Sequence, residues 1–268
     1  MAGALPHLGV MGYKAYTSYK GGLKFRVFLH DIENGELLSV MDGNYMGMIR
    51  TGAVTGVATR FMSREDSTSL GVFGTGYQSV GQIMAVCKVR NIKNIRIYGR
   101  DEKRRIRFCE NMTELLKTEV KPASDPEDIL KGSDIIVTST SSSTPVFDGR
   151  LLENGTHVNA IGGNFLFKRE IDERTVTRSD IIGVESIEQC KMEAGEFIPP
   201  VEKGRLHWED LLELGSIVSG KDKGRSKNVE ITLFKSVGIA IEDICIAKHL
   251  YDMAVKTNTG RNVEIPSI

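Results

Sequence analysis

Residues 70–79 read LGVFGTGYQS, and this stretch decides the fold. Four apolar residues, Leu70–Phe73, predict a short buried strand, and the glycine-rich turn after it opens a helix predicted over Gln78–Val89. Gly74 permits the tight turn, Gly76 lets the backbone approach a pyrophosphate, and Ser79 takes the third position of the G-x-G-x-x-G pattern. In this strand–turn–helix setting the pattern favours dinucleotide binding over an empty turn. The residues predicted to hold the cofactor here are Gly74, Thr75, Gly76, Tyr77 and Gln78.

Short apolar runs alternate with helical segments downstream of this stretch. Further strands are predicted at residues 95–98, 134–138, 156–161, 181–184 and 230–235, with helices over 102–116 and, after a Ser124 cap, up to Leu130. Strands separated by helices form right-handed βαβ units and therefore a parallel sheet. The sequence thus predicts an α/β fold whose main domain is a Rossmann-type, doubly wound parallel sheet.

The end of the second predicted strand indicates which dinucleotide is preferred. An NAD site usually carries Asp or Glu about 20 residues after the glycines, where it accepts a hydrogen bond from the ribose. Here Gly99 takes that place, and Arg100 and the basic run 103–105 follow. A guanidinium pairs well with a 2′-phosphate, so Gly99, Arg100 and Arg104 favour NADP(H), with NAD(H) as the alternative. The basic run is also typical of a solvated helix face, and Asp101 beside Arg100 weakens the preference.

The first segment reads as an antiparallel β structure followed by a helix. Strand-like runs at 24–30 and 36–41 flank Asn34-Gly35, a pair that predicts a hairpin whose two central residues both have φ > 0. Asp42 is positioned to cap a helix over Asn44–Met62, and its many small residues favour close packing against another element. The last helix, predicted over Ile239–Val255, returns to this segment. We therefore expect a dinucleotide-binding domain over 62–236, inserted in a smaller α+β domain made of 1–61 and 237–268.

Composition excludes several classes of protein. The 268 residues carry 35 Lys+Arg and 35 Asp+Glu, with 40% hydrophobic residues, as in an ordinary globular protein. Zero net charge argues against nucleic-acid binding by bulk charge, and no apolar run approaches the ~18–20 residues of a membrane span. No signal peptide is visible, and the four scattered cysteines suggest neither a metal site nor a disulfide framework. We expect a cytoplasmic protein with reduced thiols.

Several segments together resemble the ornithine cyclodeaminase/μ-crystallin family. They run in the family's order over nearly the whole chain: 12–14 (GYK), 48–53 (MIRTGA), 74–78 (GTGYQ), 138–140 (TST), 157–164 (HVNAIGGN), 168–172 (KREID), 193–196 (EAGE), 234–238 (FKSVG) and 242–243 (ED). This family includes ornithine cyclodeaminase, alanine dehydrogenase, imine reductases and μ-crystallin. The resemblance implies a Rossmann domain joined to a substrate and dimerisation domain.

The resemblance also implies roles for individual residues. Arg50 matches the arginine that holds the substrate carboxylate, and Lys14 matches the lysine beside that carboxylate and the reacting carbon. Without the resemblance, both would be read as surface residues of a helix and a strand. Positions around the nicotinamide half of the cofactor match Thr138, Thr140, Ser236 and Gly238.

Two departures from the family pattern bear on activity. Ornithine cyclodeaminases place an aspartate where this chain has Asn164, and an amide can hydrogen-bond but cannot act as a general base. We count Asn164 with the catalytic candidates; Glu170 or Asp172 could supply a carboxylate in its place. Family members also carry some tens of residues before the segment that begins here, including a further substrate-binding arginine. The expectation is a truncated or reduced form of the family.

Three functions are consistent with these residues. The first is an NAD(P)-dependent oxidoreductase on a small α-amino or α-imino acid, in which Arg50 binds the carboxylate and Lys14 polarises or protonates the imine or carbonyl. The second is a cyclodeaminase, an ammonia-lyase that uses bound NAD, and the third is a non-enzymatic NADPH-binding protein. A homodimer is expected from the resemblance and from an apolar side of the hairpin made of Phe25, Val27, Leu29, Leu37 and Val40.

Overall fold

The structure is a computed structural model that describes residues 1–263. Its strands are β1 Ala2–Leu5, β2 Val10–Tyr19, β3 Gly22–Asp31, β4 Leu37–Asp42, β5 Ser69–Phe73, β6 Asn94–Tyr98, β7 Val120–Pro122, β8 Ile135–Thr138, β9 His157–Ala160, β10 Ile181–Val184, β11 Leu212–Glu213 and β12 Thr232–Lys235. Its α-helices are α1 Gly43–Met62, α2 Tyr77–Val89, α3 Glu102–Leu116, α4 Pro126–Leu130, α5 Glu173–Arg178, α6 Ile187–Glu193, α7 Ile198–Glu202, α8 Leu214–Val218 and α9 Ala240–Thr257.

The chain divides into two compact units. The first contains Met1–Arg50 and the chain from Ile239 onward, and the second is Thr51–Gly238. One division therefore lies inside α1. The domain boundaries predicted after residues 61 and 236 stay predictions.

The first unit is an antiparallel sheet packed against α9. Its strand order is β1-β2-β3-β4, and every neighbouring pair is antiparallel. Val27 and Leu29 of β3 are fully buried with Ile244 and Ala247 of α9. The prediction that Val27 and Leu29 belong to an apolar side that packs against a second copy is therefore wrong, because α9 covers them within the same unit.

The opposite face of this sheet carries a different apolar row. Phe28 pairs in register with Tyr13 on one neighbouring strand and with Val40 on the other, so the three side chains share a face. The rings of Tyr13 and Phe28 stack at 4.7 Å between centroids. Tyr13 is 40% exposed and Val40 is 50% exposed, so this row lies open on the unit.

The hairpin lies where Asn34-Gly35 predicted it, but its turn is different. The loop between β3 and β4 spans residues 32–36, and within it only Gly35, at φ +75°, has a positive φ. The carboxylate of Asp31 accepts hydrogen bonds from the N–H groups of Glu33 and Asn34, at 2.8 and 3.2 Å. A side chain that accepts from its own loop stabilises this longer turn over the two-residue turn that we expected.

The second unit is an eight-stranded parallel sheet, as predicted. Its order is β11-β10-β12-β9-β8-β5-β6-β7, and all its pairings are parallel. Alternate residues of β8 enter different apolar clusters: Ile135 and Val137 pack with α2 and α3, whereas Ile136 packs with α4, α5 and α6. Helices therefore cover both faces, as parallel sheets require. From β5 the chain proceeds to β6 on one side and later to β8 on the other, which makes the β5–β8 edge a topological switch point.

Two local features of this unit test the sequence interpretation. The small residues of α1 allow contact with α2, since a Cβ on Gly52 would lie 2.4 Å from the carbonyl oxygen of Gly81. The cap of α4 is Asp125, which accepts from the N–H of Asp128, and not Ser124 as predicted. Ser124 donates to the side chain of Asp128 instead.

Within residues 1–263, no helix is both long and apolar enough to cross a membrane. In the same part of the chain, no three His, Cys, Asp or Glu side chains gather closely enough to hold a metal ion.

Candidate active site

A cavity of about 510 Å³ opens at the carboxyl ends of β5, β6 and β8. Open parallel sheets bind ligands at this edge, beside the switch point. Most residues predicted to hold the cofactor line the cavity: Gly74, Thr75, Gly76, Tyr77, Gln78, Gly99, Arg100, Arg104 and Thr140. Thr138, Ser236 and Gly238 do not line it.

The glycine-rich turn has the shape that a pyrophosphate needs. Gly74 has φ +119°, and a Cβ there would lie 2.6 Å from the carbonyl oxygen of Ser139. A Cβ on Gly76 would meet no protein atom within 4 Å, so the missing side chain leaves room beside the cavity. Gly76 is also the N-cap of α2, with no side-chain cap, which leaves the N–H groups of the first helical turn to face an anion. Buried Ser79 and Ser139 share a 2.8 Å hydrogen bond that ties α2 to the end of β8.

The basic run after β6 divides between the cavity and the sheet. Arg100 and Arg104 line the cavity, whereas buried Arg105 donates to the carbonyl oxygen of Gly99 at 2.7 Å. Asp101 lines the cavity too, and one of its oxygens caps α3 by accepting from the N–H of Arg104 at 2.9 Å. A Cβ at Gly99 would lie 2.9 Å from Thr75 Cγ2, so close packing disfavours an acidic residue there.

Thr138, Ser236 and Gly238 contact buried carboxylates instead of the cavity. Thr138 Oγ1 donates to Glu170 at 3.1 Å. Ser236 Oγ donates to Glu185 Oε1 at 2.5 Å, and the N–H of Gly238 donates to Glu185 Oε2 at 2.6 Å. The sequence interpretation missed Glu185 and treated Glu170 only as a substitute base. Glu170 lies in the family-like segment 168–172, but that segment does not show what its carboxylate binds; no local pattern marks Glu185, which accepts from residues more than 50 positions away.

In the first unit, Lys14 and Arg50 both donate hydrogen bonds to the carboxylate of Asp243. Lys14 Nζ donates to Asp243 Oδ2 at 2.6 Å, and Arg50 Nε donates to Asp243 Oδ1 at 3.1 Å. Arg50 Nη1 also pairs with Glu242 at 2.6 Å. The side chain of Asp243 is 1% exposed and that of Lys14 is 10% exposed, so this ion cluster is largely removed from water. The structure thus brings together two predicted catalytic residues and adds two acidic residues of α9 to them.

The protonation of Lys14 depends on this cluster. Burial lowers the pKa of Lys14 below its ordinary value of 10.5, and the nearby charge of Arg50 lowers it further. Asp243 acts in the opposite direction through its charge and its hydrogen bond, and Glu242 through its charge. A lysine with a lowered pKa releases its proton more readily, which suits a general acid.

Comparison with known proteins identifies the family. The model of the ornithine cyclodeaminase/mu-crystallin family matches residues 14–258. The chain belongs to this family. The resemblance read from the sequence motifs is confirmed.

Individual relatives agree with this assignment. A Δ1-pyrroline-2-carboxylate reductase of Bacillus cereus is 37% identical over 89% of this chain and 73% of its own length. The structure of the Thermococcus litoralis Δ1-pyrroline-2-carboxylate reductase, in complex with NADH and L-proline, has a TM-score of 0.89 at 33% identity and covers 98% of this chain and 88% of its own. An archaeal alanine dehydrogenase dimer with bound NAD has a TM-score of 0.88 at 32% identity, covering 96% and 81%.

Asn164 lies in the second unit, in the loop after β9, and is exposed. This is the family position that the resemblance assigns to an aspartate in cyclodeaminases. The exposed rings of Phe165 and Phe167 follow it and stack at 5.3 Å between centroids. The carboxylates considered as substitutes are occupied: Asp172 caps α5, and Glu170 accepts hydrogen bonds from buried groups.

Proposed function

We propose that this chain is an NAD(P)-dependent oxidoreductase that reduces a small α-imino acid, or oxidises the matching α-amino acid. The observation that carries the proposal is the ion cluster of Lys14, Arg50 and Asp243. Asp243 holds Lys14 and Arg50 side by side, and Glu242 also pairs with Arg50; the ammonium and the guanidinium carry more N–H donors than these contacts use, and such donors suit the carboxylate of an amino or imino acid. Relatives that are named pyrroline-carboxylate reductase and alanine dehydrogenase support the same substrate class.

Each residue has a defined task in this reaction. A bound nicotinamide supplies or accepts the hydride. Arg50 orients the substrate by its carboxylate, because a planar guanidinium matches that group with two parallel hydrogen bonds. Lys14 donates a proton to the imine nitrogen as the carbon is reduced, and Asp243 keeps Lys14 and Arg50 in place. The glycine turn at 74–76, which lines the cavity, and the first turn of α2 would hold the pyrophosphate.

We extend the proposal to the cofactor and prefer NADP(H), with NAD(H) as the alternative. Arg100 and Arg104 line the cavity beside Gly99, where they would pair with the charge of a 2′-phosphate. Related structures hold NADH or NAD, which supports NAD(H) as the alternative.

The proposal is tested by a substrate panel. NADPH or NADH consumption is followed with cyclic imines and with α-keto acids plus ammonia or amines. We expect net oxidation of the cofactor with at least one imino acid. Ammonia release from L-ornithine without net cofactor turnover would assign a cyclodeaminase instead. Tight NADPH binding without turnover on any member of the panel would assign a non-enzymatic binding protein.

Asn164 separates reductase from cyclodeaminase within this test. An amide cannot accept the protons that leave the substrate amines, so wild-type protein should form no proline from L-ornithine and NAD. An Asn164→Asp variant restores the carboxylate and should begin to form proline and ammonia. Proline formation by the wild type at a rate close to its best imine reduction would contradict this assignment.

We also propose that the protein is a cytoplasmic homodimer. The open row of Tyr13, Phe28 and Val40 would be covered by a second copy of the sheet, and a related archaeal alanine dehydrogenase is a dimer. The four cysteines are free thiols, as in a reducing compartment. Sedimentation at micromolar concentration should give a dimer that Val40→Lys weakens and that Val255→Lys, an exposed valine of α9, leaves intact. A monomeric wild type would refute the dimer.

A further inference from the structure

Four ionisable side chains are buried beneath the carboxyl-end loops of β8, β9, β10 and β12. Glu170 and Lys235 are 0% exposed, Glu196 is 1% exposed and Glu185 is 9% exposed. The proposed reaction gives none of the four a chemical task. Removing carboxylates from water costs several kcal/mol each, and apolar packing stabilises a fold at lower cost, so stability alone does not account for them.

Glu170 joins the loops after β8 and β9. Its carboxylate accepts from Thr138 Oγ1 at 3.1 Å and from the N–H of Thr140 at 2.5 Å, both at the end of β8. It also accepts from the N–H of Gly162, beyond β9, at 2.5 Å. A Cβ on Gly162 would lie 2.5 Å from Glu170 Oε2, so the glycine is needed for the carboxylate to reach the backbone.

Lys235 and Glu196 connect this pair of loops to β12. Lys235 Nζ donates to the carbonyl oxygen of Gly163 and to Glu196 Oε1, the latter at 3.2 Å. Glu196 Oε1 also accepts from the N–H of Glu170 at 3.2 Å. Buried contacts of Lys235, Glu170 and Glu196 therefore fix the loop that carries Asn164.

Glu185, which follows β10, holds the segment after β12. It accepts from Ser236 Oγ and from the N–H groups of Val237 and Gly238, at 2.5, 2.9 and 2.6 Å. Because Lys235 directly precedes Ser236, the contacts form one continuous network from β8 to β10. Burial raises the pKa of Glu170, while its hydrogen bonds from Thr140 and Gly162 and the charge of Lys235 act in the opposite direction.

We propose that Glu170, Glu185, Glu196 and Lys235 form a positioning network that fixes the loops around the nicotinamide half of the cofactor, with Glu170 at its centre. This rests on the proposed function: with the pyrophosphate at 74–76 after β5 and the 2′-phosphate at Arg100 after β6, the nicotinamide half would extend past Thr140, which lines the cavity after β8, towards the loops after β9 and β12. The residues act through the backbone of those loops and do not touch the reacting atoms. Displacement of a reacting group by about 1 Å can cost on the order of 100-fold in rate, so loop placement is a sufficient role.

The test is Glu170→Gln, with Glu173→Gln as the matched control. Glutamine keeps the size of the side chain, but its NH₂ group would face one of the two N–H donors at Thr140 and Gly162. Glu173 lies three residues further along and pairs with Lys203 and Arg205 at the surface, outside the network. The first readout is the dissociation constant of each whole cofactor and of a half cofactor that lacks the nicotinamide: NADPH is compared with 2′,5′-ADP, and NADH with ADP-ribose. The second readout is kcat, with its isotope effect measured on cofactor deuterated at C4 of the nicotinamide.

In Glu170→Gln we expect kcat to fall about tenfold or more, with a larger deuterium isotope effect. Affinity for the half cofactors should stay within about twofold of wild type, while affinity for the whole cofactors falls. Equal losses for half and whole cofactors, or a kcat no lower than in Glu173→Gln, would overturn the proposal. The binding measurements need no substrate, so they stand even if the proposed reaction fails.

Glu185→Gln tests the other end of the network by the same readouts. It is the deciding variant if thermal unfolding shows that Glu170→Gln does not fold. The same split between half and whole cofactors is expected, because the N–H groups of Val237 and Gly238 share one oxygen of Glu185, and a neutral amide oxygen accepts from them more weakly than a carboxylate oxygen does. A folded Glu185→Gln variant with wild-type kcat and wild-type affinity for whole cofactors would refute the role of this end.

Discussion

Replacing Arg100 by alanine is the sharpest test of cofactor preference. Arg100 lines the cavity at the end of β6, where Gly99 supplies no carboxylate for a ribose. The change removes one guanidinium and leaves the glycine turn at 74–76 untouched. It should weaken NADPH binding selectively, because only NADPH carries the 2′-phosphate.

The size of the loss follows from the exposure of this arginine. A hydrogen bond to a charged group contributes about 1.5–3 kcal/mol, and screening by water and salt reduces this value for an exposed side chain such as Arg100. About 1–2 kcal/mol then remains, which corresponds to roughly a 5- to 30-fold rise in the NADPH dissociation constant. The NADH dissociation constant should change less than about twofold, since ribose hydroxyls gain little from a cation.

Titration of each cofactor, followed by its fluorescence at low and high salt, measures both constants. The matched control is Lys103→Ala, which removes one positive charge from the same helix start but does not line the cavity. The selectivity should shrink at high salt in the wild type and be smaller in Arg100→Ala, which keeps only Arg104 at this place. Equal losses for NADPH and NADH, or an effect of Lys103→Ala as large as that of Arg100→Ala, would refute the reasoning.

Three further predictions concern the substrate site and the helix contact. Arg50→Lys keeps the charge but loses the two-pronged geometry, so kcat/KM should fall about 10- to 100-fold with cofactor affinity unchanged; equal loss of cofactor affinity would place Arg50 elsewhere in the mechanism. Asp243→Asn removes a charge that raises the pKa of Lys14, so that pKa falls further and the alkaline limb of the pH profile of kcat/KM moves to lower pH; an unmoved limb would exclude Lys14 as the acid. Gly52→Ala places a Cβ 2.4 Å from a backbone oxygen of α2 and should lower the free energy of unfolding by about 1–3 kcal/mol. Gly47→Ala, where a Cβ meets no atom within 4 Å, should raise it by about 0.4–1 kcal/mol; urea unfolding in which both variants behave alike would contradict the packing argument.

Local patterns predicted the elements well where a few neighbouring residues decide the structure. The strand–turn–helix at 70–79 follows from an apolar run and from Gly74, whose φ of +119° other residues rarely adopt. The same locality explains two errors. At the hairpin, the side chain of Asp31 accepts hydrogen bonds from the loop and stabilises a longer turn than we expected. Before α4, the carboxylate of Asp125 caps the helix in place of Ser124. In both places several nearby groups compete for the same N–H donors, and the sequence does not rank them.

The exposed face of the small sheet could not be predicted from the hairpin alone. Alternation along β3 separates Val27 and Leu29 from Phe28, and the sequence contains this division. Which side becomes buried depends on where α9 packs, about 200 residues further along the chain. The apolar row left open therefore centres on Phe28 instead.

The sequence by itself determined the family, the parallel sheet and the glycine turn, because each depends on backbone preferences and periodicities over a few residues. Tertiary structure alone decided the partners of the buried charges. Lys14 meets Asp243 across 229 positions, and Glu170 meets Thr138 across 32. A buried ion is stabilised only by groups that the packing of other elements brings within hydrogen-bond distance, and such packing leaves no periodic signal in the residues around the ion.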